Sequence, residues 1–268
     1  ILRLIHLNIL PVFCDEAIYI RWSQIMSSEP TLRFLPLSDG KQPLFMWILM
    51  FFVKRFNAPL FTGRLLSVVT GIGSMIGLFF LTYYIFKSKI SALFASILWA
   101  ISPLSLFFDR MALVDSMLTC FGIWTLFLSL VTATTLRLDM AILTGFILGL
   151  ASLTKSPALF FAALIPVAII LLKRPKDLFK YAGLLAVIYL IAFGMYNIQR
   201  LGPNFALLAS RTADYTYPLS RIFIYPTDPI RYNIPTTLSW LSAMGPLGLL
   251  LLTAIGAIRN FRKYKKTI

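Results

Sequence analysis

Asp15 and Glu16 are adjacent carboxylates in the stretch VFCDEAIYIRWSQ (12–24), in a chain that has only ten acidic residues among 268. Tyr19 follows Asp15 at helical spacing, one turn further along. A carboxylate within reach of a hydroxyl can remove its proton as a general base. We therefore take Asp15 and Glu16 as candidate catalytic residues and place Tyr19 in the same substrate cavity.

A third carboxylate, Asp115, falls within the apolar run 111–131. An ionisable residue inside a membrane span is costly to bury, so it indicates function. Asp115 is therefore the third candidate catalytic residue. Just before it, Asp109 and Arg110 are adjacent, and we interpret Asp109 as half of a surface ion pair with Arg110.

Basic residues are predicted at the same membrane depth as these carboxylates. They are Lys41, Arg64, Arg110 and Lys155. Each alone could extend to lipid headgroups, but together they are suited to binding a phosphate. Asp39 precedes Lys41 in the polar turn SDGKQPL (38–44) and is assigned to the same cavity. The sequence has no Gly-rich phosphate loop and no Asp-x-Asp pair, which favours a phosphate carried on a lipid over a nucleotide.

The elements that must position these residues are mostly apolar, since 59% of the chain is hydrophobic and 13% is charged. A bilayer core takes about 20 apolar residues per helix. Suitable runs are 65–86, 90–108, 111–131, 140–154, 157–172, 181–198 and 238–258. With ILRLIHLNILPVF (1–13) as the end of a truncated first span, the predicted fold class is an all-α polytopic transmembrane helix bundle of about eight spans.

The apolar segment 43–53 has 11 residues, too few for a span, so we predict a helix that lies in the interface or re-enters. The basic gaps 87–89, Arg137, 173–180 and 259–266 then share one side, which the positive-inside rule makes cytoplasmic. The long segments 14–64 and 199–237 become extracytoplasmic loops. We therefore expect a multi-pass cell-membrane protein whose active site is extracytoplasmic and roofed by short interfacial helices.

The formal net charge of +15 does not indicate nucleic acid, because the basic residues cluster in short gaps between apolar runs. Residues 1–268 are predicted to form one domain that is incomplete at its N-terminus. Cys14 and Cys120 give neither a disulfide framework nor a metal motif. We predict no metal site and no cofactor, with a divalent cation left open, and His6 is assigned no role.

The motifs CDEAIY, DGKQPL, SPLSLFFDRMALVDSML and LTKSP, with Arg64 opening a span, occur in this order over residues 10 to 160. In this order and spacing the chain resembles the protein O-mannosyltransferase and aminoarabinose-transferase superfamily, multi-span glycosyltransferases of the type C fold that use polyprenyl-phosphate sugars. The stretch 210–229 is similar to a later outer loop of bacterial relatives.

The resemblance implies that Asp15 is the catalytic carboxylate and Glu16 its usual neighbour. It also implies that Lys41 contacts the lipid phosphate and that Asp115 is a second functional aspartate. The aminoarabinose branch carries an arginine three residues after the first aspartate, where this chain has Ile18, which argues against lipid A modification.

The predicted function is transfer of a sugar from a polyprenyl-phosphate donor to an acceptor hydroxyl, with inversion at the anomeric carbon. Predicted partners are this donor, a lipid, glycan or protein acceptor, and membrane lipids, but no nucleic acid. A multi-span transporter of a lipid or anionic solute is the alternative, although its polar sites would lie near the midplane. A structural subunit without catalysis is a third possibility. The sequence leaves open the sugar, the acceptor and the prenyl length.

Overall fold

The computed structural model describes residues 2–56, 58–172, 174–244, 251–256 and 258. Over these residues the chain forms helices and turns and no strand, which confirms the all-α prediction. The α-helices are α1 Cys14–Ser28, α2 Leu44–Leu49, α3 Pro59–Phe86, α4 Lys89–Ile101, α5 Pro103–Asp109, α6 Val114–Thr135, α7 Leu138–Thr154, α8 Ala158–Leu164, α9 Asp177–Asn197, α10 Leu207–Tyr215, α11 Leu219–Ile224 and α12 Asp228–Met244. Short 3₁₀ helices are Pro30–Leu32, Leu35–Asp39, Ile165–Leu171 and Ile198–Leu201.

Three helical segments of the described chain are long and apolar enough to cross a membrane, namely Pro59–Phe86, Val114–Thr135 and Asp177–Leu201. A fourth candidate is the pair Lys89–Ile101 and Pro103–Asp109, bent by 63° at its break. Pro103 has no N–H to continue the helical ladder, which accounts for the break. The prediction of about eight spans is therefore not confirmed.

Two further predicted spans are shorter apolar helices. Leu138–Thr154 has 17 residues, and at about 1.5 Å per residue it falls short of a hydrocarbon core of about 30 Å. The run 157–172 divides into α8 and a 3₁₀ segment at Ile165, just before Pro166. At the N-terminus, residues 2–8 form turns, so the predicted end of a truncated span is not helical here.

The segment 43–53 contains only the six-residue helix α2, which is too short to cross, as predicted. It is not an exposed interfacial helix, because Phe45, Met46 and Leu49 are fully buried. They belong to the core cluster formed with α1 and residues 111–117. The apolar character of α2 therefore reflects packing inside the protein, whereas Phe51 and Phe52 after it are exposed.

Close packing of α3 on α6 depends on Gly73 and Gly77, two glycines four residues apart in α3. A Cβ at Gly73 would lie 2.8 Å from the Cys120 sulfur, and one at Gly77 would lie 2.9 Å from the Trp124 indole nitrogen. The Trp124 indole N–H donates to the Gly73 carbonyl at 3.0 Å. The absence of side chains at Gly73 and Gly77 therefore allows α3 and α6 to pack closely.

The chain divides into two compact units, Ile1–Ile101 with Ser105–Asp214, and Ser102–Leu104 with Tyr215–Ile268. The candidate site lies within the first. In the second, the Tyr217 hydroxyl donates to Asp228 at 3.2 Å. The basic segment 259–266 and part of the predicted span 238–258 lie outside the described residues. The prediction of a single domain over 1–268 stays a prediction.

Candidate active site

Asp15 forms an ion pair with Lys41. Asp15 lies in the first turn of α1, where a carboxylate is favoured by the helix dipole. Lys41 follows a tight turn at Gly40, whose φ of +61° is in the left-handed region open to glycine. The Lys41 ammonium lies 2.9 Å from the Asp15 carboxylate and 3.3 Å from that of Asp39. The structure thus brings together three residues that the sequence assigned to one cavity.

Tyr19 lies beside this cation and is itself buried. The Lys41 ammonium is 5.0 Å from the centre of the Tyr19 ring and 5.7 Å from that of Trp22, distances of cation–π contacts. Burial raises the pKa of the Tyr19 phenol, and the negative charges of Asp15, Asp115 and Asp39 raise it further. Tyr19 therefore keeps its proton at neutral pH and lies within electrostatic range of all three aspartates.

Asp115 forms a second ion pair, with Lys155. Asp115 is in the first turn of α6, and Lys155 ends α7. The Lys155 ammonium lies 2.8 Å from the Asp115 carboxylate. The structure thus pairs two residues that the sequence assigned separately to the site.

The loops that carry the two lysines are joined by hydrogen bonds that sequence reasoning missed. The Gln42 amide donates to the Ser156 hydroxyl at 2.7 Å, and Ser156 lies 3.1 Å from the Thr212 hydroxyl of α10. Gln42 is adjacent to Lys41, and Ser156 is adjacent to Lys155. That adjacency is the one signal in the sequence that could have identified them.

Glu16 and Arg64 form a fully buried ion pair next to the site. The Arg64 guanidinium donates to both Glu16 carboxylate oxygens at 2.9 Å, and both side chains are 0% exposed. Glu16 also accepts the backbone N–H of Ala112 at 2.7 Å and that of Phe13 at 3.0 Å. Burial raises the pKa of Glu16, but the Arg64 and backbone donors outweigh this and lower it.

The remaining Arg64 donors bind the carbonyl oxygens of the N-terminal segment, those of Leu7, Leu10 and Pro11, at 2.8–3.2 Å. With these bonds its guanidinium N–H groups are all engaged. This placement argues against the predicted phosphate contact of Arg64 and for a positioning role. Glu16, equally enclosed, is not accessible to a substrate hydroxyl.

Asp109 does not pair with Arg110, contrary to the prediction from their adjacency. It is buried, accepts from the Arg3 guanidinium at 2.7 Å, and accepts from the Ser116 hydroxyl at 2.5 Å. Arg110 instead donates to the carbonyl oxygens of Ile5 and His6 at 2.8 and 2.9 Å. The prediction of a surface ion pair between Asp109 and Arg110 is therefore wrong. Arg110 binds the N-terminal segment in its place.

The accessible pairs differ from the buried one in what they can do. Exposure of the side chains is 40% for Asp15, 21% for Lys41, 34% for Asp115 and 42% for Lys155. A lysine in such a pair can exchange its carboxylate for a substrate phosphate without a large burial cost. Among the described residues no group of three or more His, Cys, Asp or Glu could hold a metal ion.

The described part of the chain combines apolar helices long enough to span a bilayer with two partly exposed carboxylate–lysine pairs, whose groups can exchange a proton or bind an anion. Residues 36–201 match the family described as dolichyl-phosphate-mannose-protein mannosyltransferase. The match covers more than half of the sequence, and the chain belongs to this family. It is a membrane glycosyltransferase that uses a polyprenyl-phosphate sugar.

The family match agrees with the resemblance that the motifs indicate. It also argues against the alternative of a multi-span transporter. Asp15, Glu16 and Tyr19 precede the matched range, so their roles depend on the geometry described above. Comparison with curated proteins and with solved structures finds no match for this chain.

Proposed function

We propose that this protein transfers a mannosyl group from a polyprenyl phosphate to an acceptor hydroxyl, on the extracytoplasmic face and with inversion at the anomeric carbon. The observation that carries the proposal is the position of two partly exposed ion pairs, Asp15–Lys41 and Asp115–Lys155, around the buried Tyr19. The choice of mannose follows the family description. An acceptor hydroxyl on a protein is the corresponding choice for the second substrate.

Asp15 is the proposed general base. Its carboxylate is held by Lys41 in the first turn of α1 and remains 40% exposed, so an acceptor hydroxyl can reach it. As the hydroxyl oxygen bonds to the anomeric carbon, its proton passes to Asp15. The bond from the anomeric carbon to the phosphate oxygen breaks, and the polyprenyl phosphate leaves with the electron pair. Attack opposite to the leaving group inverts the anomeric centre.

Lys41 and Lys155 are the proposed phosphate contacts. Each faces its own aspartate in this structure, at 2.9 and 2.8 Å. A phosphate between the two lysines would take over part of these contacts and offset the charge that develops on the leaving group. Asp115 would then keep Lys155 in place, and Asp39 would do the same for Lys41. Arg110 is proposed as an outer contact, because only its Nη2 is used in the hydrogen bonds to the Ile5 and His6 carbonyls.

The proposal that the ion pairs lie on the extracytoplasmic side rests on the distribution of basic residues along the chain. The basic gaps 87–89 and Arg137 follow the ends of α3 and α6, whereas Asp15, Asp39 and Asp115 belong to the segments at the opposite ends. By the positive-inside rule the basic ends are cytoplasmic, so the ion pairs lie outside.

A donor panel tests the proposal. The protein is reconstituted in lipid nanodiscs and incubated with radiolabelled polyprenyl-phosphate mannose, glucose and aminoarabinose, together with a Ser/Thr-rich acceptor peptide. We expect transfer from the mannosyl donor and an anomeric configuration in the product opposite to that of the donor. Transfer from another donor alone would contradict the sugar assignment, and retention would contradict direct displacement by the acceptor.

A further inference from the structure

The two lysine-bearing loops are tied together by a chain of hydrogen bonds that the proposed reaction does not itself use. Gln42 is almost fully buried, and its amide N–H donates to the Ser156 hydroxyl at 2.7 Å. These residues are 114 positions apart in sequence. Their contact therefore fixes two distant loops against each other.

The Ser156 hydroxyl links Gln42 to helix α10. It accepts from the Gln42 amide and lies 3.1 Å from the Thr212 hydroxyl, a hydrogen bond in which either oxygen can be the donor. Within α10, the Thr212 hydroxyl donates to the Leu208 carbonyl at 2.8 Å. The bonds therefore connect the Lys41 loop through the Lys155 loop to α10, and neighbouring hydrogen bonds in such a network strengthen one another.

Helix α10 also contacts the Lys41 loop directly. A Cβ placed on Gly40 would lie 2.6 Å from the Leu207 carbonyl oxygen and 2.5 Å from the Arg211 Cβ, so the Gly40 turn packs closely against α10. The chain of hydrogen bonds and this packing hold the same turn from two directions. Lys41 leaves that turn with a defined position relative to Lys155.

We propose that Gln42, Ser156 and Thr212 are positioning residues that set the separation of Lys41 and Lys155 for one donor phosphate. This inference rests on the proposed function, because it assigns both lysines to the same phosphate. A phosphate that bridges two cations gains most when their separation matches it before binding. Loss of these hydrogen bonds should therefore weaken donor binding more than it slows the chemical step.

Ser156→Ala and Thr212→Val remove hydroxyls from the chain, and Ser156→Thr keeps one. The matched control is Ser152→Ala, since the Ser152 hydroxyl donates to the Leu148 carbonyl of its own helix at 2.9 Å and has no other hydrogen bond among the described residues. We expect Ser156→Ala and Thr212→Val to raise the donor KM about tenfold, the factor that one net hydrogen bond supplies, with kcat little changed. Ser156→Thr should restore the wild-type KM, and Gln42→Ala combined with Ser156→Ala should be no worse than either alone.

Hydrogen exchange gives a readout that does not depend on catalysis. The Gly40 and Lys41 amides are protected by bonds to Leu37 and Pro36 at 3.0 and 3.1 Å. In nanodiscs, Ser156→Ala should speed exchange across 38–42, whereas Ser152→Ala should not.

The two readouts separate the failure of this inference from the failure of the proposed function. If Ser156→Ala matches Ser152→Ala in exchange and in donor KM, the positioning role is wrong. If exchange at 38–42 responds but kcat falls in place of a KM rise, the residues act on the chemical step and the inference is overturned. If no polyprenyl-phosphate sugar is used by the wild type, the proposed function falls, and the exchange comparison still decides whether the two loops are coupled.

Discussion

Replacing Arg64 by methionine should destabilise the protein strongly, although Arg64 makes no proposed contact with substrate. Among the described residues, the change leaves the fully buried Glu16 carboxylate with two donors, the Ala112 and Phe13 amides. It also leaves the carbonyl oxygens of the N-terminal segment without their guanidinium. Removing one partner of a buried ion pair costs about 3–5 kcal/mol.

For a chain of this size that cost corresponds to a fall in melting temperature of about 6–20 °C. Thermal unfolding of purified protein in detergent, followed by intrinsic tryptophan fluorescence, measures it. Arg137→Met is the matched control, since Arg137 also pairs with an aspartate, Asp139, but both side chains are more than half exposed. We expect almost no shift for the control.

At acidic pH, the difference in melting temperature between the wild type and Glu16→Gln should become smaller. The folded-state pKa of Glu16 is lowered, so the ion pair contributes its full stability above the ordinary glutamate value of 4.5. That contribution is lost as the pH falls through the folded value. Melting temperatures of the two proteins measured from pH 7 down to pH 3 should converge. A shift for Arg64→Met no larger than for Arg137→Met, or a difference for Glu16→Gln that does not depend on pH, would refute the buried ion pair as the support of this site.

Three other substitutions test the packing around the ion pairs. Gly40→Ala combines a left-handed φ with a clash against Arg211, so donor KM should rise severalfold, and wild-type kinetics would contradict the tight turn. Gly71→Ala places a methyl group on the Asp109 carboxylate, so we expect a lower melting temperature. The control Gly183→Ala should not lower the melting temperature, because a Cβ there would meet open space. Tyr19→Phe keeps the ring and removes a hydroxyl that stays protonated at neutral pH, so the pH–rate profile should be unchanged. A shifted profile would show that the Tyr19 hydroxyl takes part in the reaction.

Local sequence features predicted the parts of the site that lie on helix ends and tight turns. The helical spacing of Asp15 and Tyr19 and the polar turn that contains Asp39 and Lys41 are both present in the structure. Asp115 stood out because ionisable residues inside apolar runs are rare. The length of 43–53 was enough to exclude a span, although not to show that α2 is buried.

Contacts between distant positions could not be predicted in the same way. Adjacency suggested that Asp109 pairs with Arg110, but a helical backbone directs neighbours to different faces, and Asp109 binds Arg3, 106 positions away. Arg64 was read as a phosphate contact because nothing in its own surroundings reveals the Glu16 carboxylate and the carbonyls that enclose it. Hydropathy also does not predict the breaks at Pro103 and Pro166, which interrupt two apolar runs.

The most direct test of the proposed mechanism is the rate of mannosyl transfer by Asp15→Asn, measured in a single turnover with saturating polyprenyl-phosphate mannose. Asparagine keeps the shape of the side chain but cannot take the proton, so the rate should fall by about 10²–10⁴, the contribution of a general base. Donor binding and melting temperature should stay close to wild type, because Asp15 is partly exposed. If Asp15→Asn retains most of the activity, while folded Glu16→Gln loses it, the base is not Asp15 and the proposed mechanism is wrong.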